Sequence, residues 1–222
     1  RWSYLLSLVG LAVGLSGCGG GGDGDQAPST RYSAMVSFGD SLSDVGTYGV
    51  GALNAVYGGG KYTINGPQGK VWTEYLAAQL GVAAPCSAQT GLNSVGPLAG
   101  FNVAVSNHAG CFNYAQGGAR VTDPVGPANV ALLSLTPSEN QGALGQLTVP
   151  VVTQIQNHLT AAGGSFAGTE LVTVMAGGND VFRQLADISL RSKSPAQAVS
   201  DMALAGLQLA DAVRNDIVAN GA

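Results

Sequence analysis

Two short apolar runs constrain this chain more than any other feature. Ser33-Ala34-Met35-Val36-Ser37-Phe38 stops at Gly39-Asp40, and Glu170-Leu171-Val172-Thr173-Val174-Met175 stops at Ala176-Gly177-Gly178. Continuous apolar runs of this length, bounded by glycine, read as strands buried on both faces, as in a parallel sheet. Parallel strands need crossovers, and helical periodicities supply them. Trp72, Tyr75, Leu76 and Leu80 share one helical face over residues 71–80, with Gly81 as the stop. Val152, Ile155 and Leu159 recur at helical spacing over 149–162, closed by Gly163-Gly164. Ser194-Pro195 is a cap and first-turn proline that opens a third stretch, 196–218, ending at Asn220-Gly221. Residues 91–113 are Gly/Asn/Ser-rich and read mostly as loop. Strands alternating with helices predict an α/β fold, a three-layer α/β/α sandwich around a mostly parallel sheet. Ligands in such folds sit at the carboxyl ends of the strands, so the glycine-rich ends at 39–41 and 177–180 belong on one rim.

Composition removes several classes of function. Nine Lys+Arg against thirteen Asp+Glu give a net charge of −4. No Lys/Arg cluster is present, which argues against a nucleic-acid partner. Charged residues are 10% of the chain, well under the usual ~25%. Hydrophobic residues are 45%, too many for general disorder. After residue 20 no apolar run approaches the ~20 residues of a membrane span.

The first eighteen residues have a basic start, an apolar stretch and small residues before Cys18, the layout of a signal peptide. Leu15-Ser16-Gly17-Cys18 resembles the lipobox of bacterial lipoproteins, which implies cleavage before Cys18 and a lipid on its thiol. Residues 19–32 begin with a glycine run and form a flexible linker. The expected localisation is therefore export as a bacterial lipoprotein, at the outer membrane or in the periplasm, or secretion, with membrane contact through Cys18. Cys86 and Cys111 remain, and in an exported protein an even remainder suggests a bridge; the alternative is two buried free thiols. No Cys-x-x-Cys or His cluster points to a metal, and no cofactor is expected.

Three segments could carry chemistry. In Phe38-Gly39-Asp40-Ser41-Leu42-Ser43-Asp44 a serine follows a turn after a buried strand. Ser41 is expected at a helix start, where free N–H groups favour a developing oxyanion, although capping is the commonest job for such a serine. In Asn113-Tyr114-Ala115-Gln116-Gly117-Gly118-Ala119-Arg120 paired glycines mark a tight turn or a place where substrate approaches backbone N–H. Gly177-Gly178-Asn179-Asp180 places a carboxamide directly after the second strand, or simply forms a turn.

Together, and in this order, Gly-Asp-Ser-Leu-Ser-Asp at 39–44, Asn-Tyr-Ala-x-Gly-Gly-Ala-Arg at 113–120 and Gly-Gly-Asn-Asp at 177–180 resemble the first three sequence blocks of the GDSL, or SGNH, lipases and esterases. Leu-Ala-x-Gln-Leu-Gly at 76–81, after Trp72, is similar to the bacterial lipase-like branch. The resemblance implies a flavodoxin-like SGNH hydrolase domain over 33–222 and a serine ester hydrolase acting on a small-molecule or lipid ester. It implies Ser41 as nucleophile and oxyanion donor, Gly118 as second donor with Gly117 as the register alternative, and Asn179 as third through its amide. Asp40, Asp44 and Asp180 read as turn and cap residues.

The family carries its general base on a late Asp-x-x-His block, which these residues lack. The two histidines, His108 and His158, occupy other positions. A truncated gene or fragment, with the sheet incomplete at its C-terminus, is the favoured explanation, and recruitment of His108 the other. This chain alone is then expected to be inactive. The alternative function is a non-catalytic lipid- or glycan-binding lipoprotein on a degenerate SGNH fold.

Overall fold

The computed structural model describes residues 30–51, 54, 60, 61, 63, 64, 66, 68–92, 103–127 and 149–222. The expected leader at 1–18, Cys18 included, and most of the 19–32 linker lie outside them. In chain order the elements are β1 (Ala34–Gly39), α1 (Trp72–Leu80), β2 (Gln89–Leu92), β3 (Val103–Asn107), α2 (Val151–Ala161), β4 (Glu170–Met175), α3 (Gly178–Ser189) and α4 (Pro195–Ala212). A π turn at Val213–Ile217 and a 3-10 turn at Val218–Asn220 follow.

Both apolar runs are strands, and they pair in parallel from Ala34↔Glu170 to Gly39↔Met175. On the other edge of β1 the chain at 112–116 also runs parallel. The N–H of Ser37 donates to Phe112 O, that of Tyr114 to Ser37 O, and that of Gln116 to Gly39 O. A further parallel bridge joins Ser87 to Asn113. Strand β1 is thus an inner strand and is buried almost throughout, which is why its sequence is continuously apolar. Val36 and Phe38 form one buried cluster with Val151, Ile155 and Leu159 of α2, and with Phe166, Ala212 and Ile217. Burying a side chain the size of Phe38 contributes about 1.5–3 kcal/mol. The alternation of strand and helix therefore yields the α/β architecture its pattern predicts.

Helix boundaries follow local chemistry. Helix α1 stops where Gly81 adopts φ +67, a conformation cheap only for glycine. Helix α4 opens on Ser194, whose hydroxyl accepts the Gln197 N–H. The stretch 196–218 is not one uniform helix, because it rewinds into the π turn after Ala212. Ala212 and Ile217 are five residues apart and both belong to the core, so i→i+5 winding turns both inward.

Two elements were not expected. Within 91–113, read as mostly loop, the described residues include an antiparallel strand pair, β2 with β3, from Gln89↔Asn107 to Leu92↔Val103 with an irregularity between. Strand β3 is almost entirely exposed, so no buried face imposes on it the apolar alternation that announces a strand. Helix α3 was not expected at all. Its buried residues are Asn179, Asp180, Gln184 and Asp187, while Val181, Phe182 and Leu185 are exposed. An apolar stripe turned to solvent inverts the usual pattern.

Cys86 and Cys111 are bridged, with Cα atoms 5.0 Å apart and a sequence separation of 25. The bridge closes the segment that carries the hairpin. Replacing both by alanine is expected to cost about 3–4 kcal/mol through the entropy of the unbridged unfolded chain. Urea titration reads this directly, and an unshifted midpoint would show that the bridge contributes no net stability.

Candidate active site

The site grows from the end of β1. A Cβ on Gly39 would lie 2.4 Å from the Met175 carbonyl oxygen, so only glycine lets β4 pass at this point. Both polar backbone atoms of Gly39 are held by one side chain. Gln154 Oε1 accepts the Gly39 N–H at 2.8 Å, and Gln154 Nε2 donates to Gly39 O at 2.9 Å. A tight turn follows, in which Asp40 Oδ1 accepts the Leu42 N–H and Asp40 O accepts that of Ser43. Ser41 therefore sits in a turn, not at a helix start. It is partly exposed, and its carbonyl accepts the Thr63 hydroxyl at 2.9 Å. Burial pushes the Asp40 carboxyl above the usual carboxylate range, the Leu42 N–H opposing it and nearby Asp180 adding to it.

Asp44 ties this turn to the glycine pair. Its Oδ1 accepts the N–H groups of Gly46 and Thr47, and its Oδ2 accepts that of Gly117 at 2.8 Å. The Tyr48 hydroxyl donates to Gly117 O at 2.8 Å, so Gly117 is held on both sides. Gly118 follows with φ +85, and its N–H has no partner among the described residues. Burial pushes the Asp44 carboxyl upward against the pull of its N–H donors.

The third motif closes on the second. Asn179 Nδ2 donates to Ala119 O at 2.9 Å. Asp180 accepts from Arg120 Nε at 3.1 Å and from the Val121 N–H at 3.0 Å. Both residues lie in the first turn of α3, whose cap is Gly177 at φ +101, so free N–H groups and the positive end of the helix dipole are at hand. Direct hydrogen bonds thus link three segments far apart in sequence. Asp44 and Asp180 are more than turn and cap residues, because each also reaches across to residues 117–121. Gln154 carries no sequence signal: a single amide on a helix looks like surface until its partners are seen.

The histidines are engaged elsewhere. His108 Nε2 is 2.7 Å from Thr90 Oγ1, on the exposed hairpin. His158 is buried, with Nδ1 3.3 Å from the Tyr114 hydroxyl, and its ring packs 4.7 Å from that of Phe166. Its Nε2 has no hydrogen-bond partner among the described residues. Neither histidine is hydrogen-bonded to Ser41, so recruitment of His108 gains no support from the geometry. Among the described residues no group of three or more His, Cys, Asp or Glu side chains is placed to hold a metal ion.

Burial holds the His158 imidazole below its ordinary value near 6.5, with Glu170 opposing more weakly. Its stability contribution is intact above the unfolded value and is lost as pH falls from there toward the lowered folded value. The unfolded chain takes the proton first, at up to about 1.4 kcal/mol per pH unit. His158→Phe is expected to flatten the fall in Tm on acidification below pH ~6.5. An unchanged slope would show that other groups control acid unfolding.

A family model described as GDSL-like lipase/acylhydrolase matches residues 35–221. No curated protein matches the sequence. The match takes in β1, the paired glycines and α3, the three segments that the hydrogen bonds of Asp44, Asn179 and Asp180 join. By that match the chain belongs to the GDSL-like lipase/acylhydrolase family, and its α/β fold is that of the family.

Proposed function

We propose that this chain carries the nucleophile and oxyanion site of a serine ester hydrolase that cleaves carboxylic esters through an acyl-enzyme on Ser41. The observation that supports it is the hydrogen-bonded junction of the Ser41 turn, the Gly117-Gly118 turn and the start of α3. The Ser41 Oγ attacks the ester carbonyl while a base takes its proton. The same proton then leaves with the alcohol, and water releases the acid from the serine. The N–H groups of Ser41 and Gly118 and the second amide N–H of Asn179 stabilise the oxyanion, each worth about 3 kcal/mol of barrier. Engagement of the Gly117 N–H by Asp44 favours Gly118 as donor. The reaction requires a base, and neither His108 nor His158 is hydrogen-bonded to Ser41. Hydrolysis of a short-chain p-nitrophenyl ester by a protein that joins this sequence to an Asp-x-x-His segment tests the reading.

The missing base also favours a second reading, a non-catalytic lipid- or glycan-binding protein on the same fold. Absence of turnover when the Asp-x-x-His segment is present would select it. The Leu-Ser-Gly-Cys motif supports a lipid anchor at Cys18 and export as a bacterial lipoprotein. Cys18→Ser is expected to abolish labelling by radioactive palmitate and release the protein from membranes. Labelling that persists would remove the anchor.

A further inference from the structure

A cavity of about 470 Å³ opens between the base of the β2–β3 hairpin and helix α2. That volume is within the range of small-molecule sites. Ser41, Gly118 and Asn179 do not line it. Its walls carry no carboxylate, ammonium or guanidinium among the described residues; the titratable groups there are His108 and Tyr114. An ion entering it would lose hydration without gaining a counter-charge, which is costly.

Carboxamides supply most of the polar groups of the lining, and those of Gln89, Asn107, Gln116 and Gln154 are held in place. Gln116 and Gln154 are buried to 3% and 1% exposure. Gln116 Oε1 accepts the Val149 N–H at 2.9 Å, and its Nε2 donates to Gln89 Oε1 at 2.9 Å. Gln89 Nε2 in turn donates to Asn107 Oδ1 at 3.0 Å. Gln154 is fixed by Gly39 and by Val149 O. This relay runs from the hairpin to the start of α2, so the amides need no reordering to receive a ligand. Each amide retains a second N–H or lone pair, and the exposed side chain of Asn157, on the same wall, has no hydrogen-bond partner among the described residues. Amides offer donors and acceptors side by side, as hydroxyl groups require. An apolar ligand would leave those groups unpaired, at a cost in affinity. Tyr114, Ala88 and Ala161 supply the apolar patches against which the C–H face of a ring can lie.

We propose that this cavity is a second binding site, for an uncharged polyhydroxylated ligand of the size of one or two sugar units. The inference goes beyond the hydrolase reading and does not depend on Ser41. Saturation-transfer NMR of the chain with methyl β-glucoside and with N-acetylglucosamine tests it, with glucuronate as the charged comparator. Transfer is expected from the neutral sugars and not from glucuronate. Asn157→Leu is expected to weaken it about fivefold, the scale of one lost neutral hydrogen bond, with circular dichroism confirming an unchanged fold. Ala161→Trp, which fills the cavity, is expected to abolish it. Ser41→Ala is expected to leave it intact, which separates this site from the catalytic one. No transfer from either neutral sugar, equal transfer from glucuronate, or binding undiminished in both cavity variants would overturn the proposal.

Discussion

Ser41→Ala, in a protein that joins this sequence to an Asp-x-x-His segment, is expected to lower kcat for a short-chain p-nitrophenyl ester by a thousandfold or more, the order seen when a serine nucleophile is removed. The Ser41 side chain has no hydrogen-bond partner among the described residues, and only its carbonyl is engaged. Its removal should therefore leave Tm nearly unchanged and report chemistry alone. Asn179→Ala is a poorer probe, because Asn179 also holds the Ala119 carbonyl, so stability and catalysis fall together. Activity retained in Ser41→Ala would overturn the nucleophile assignment, whatever the family resemblance. The 222-residue chain itself is expected to show no turnover, since a serine without a base is a poor nucleophile near neutral pH.

The same chain is expected to self-associate. Strand β4 pairs with β1 on one edge, and among the described residues nothing pairs with the other. Leu171 to Met175 carry no charge and no proline, the devices that normally protect an open edge. On helices α3 and α4, Phe182 is 61% and Leu207 69% exposed. Val181, Leu185, Val199 and Leu204 are exposed as well. Covering residues of this size contributes about 1.5–3 kcal/mol each, so a few of them suffice for association at micromolar concentration. Sedimentation velocity is expected to show concentration-dependent oligomers. Phe182→Glu combined with Leu207→Glu is expected to shift the distribution to monomer, because charges on both helices would have to be desolvated. A wild-type chain that sediments as one monomeric species across the concentration range would contradict this, and would mean that the apolar faces are tolerated in water.

Much of the framework was legible because burial on both faces leaves a mark on sequence. Strand β1 has neighbours on either edge and a core cluster against it, so its residues are continuously apolar and end in glycine where the backbone must turn. The cap at Ser194-Pro195 and the stops at Gly81 and Gly221 were readable for a similar reason, since each answers a local demand of the backbone. Strand β3 was hidden because its exposed residues select no alternation. Helix α3 was hidden because its polar residues are the buried ones.

At the site the division is of another kind. The amino-acid order alone determined the residue types available to the proposed chemistry, a serine after a strand, a glycine pair and an amide, since these are local words whose spacing does not depend on packing. What only the folded chain decided was their connection: Asp44 reaching Gly117, Asn179 reaching Ala119, Gln154 enclosing Gly39, and His158 sealed among aromatic rings away from Ser41. Hydrogen bonds between residues tens of positions apart exist only once a sheet has brought those residues within about 3 Å, and no one-dimensional pattern encodes a distance of that kind.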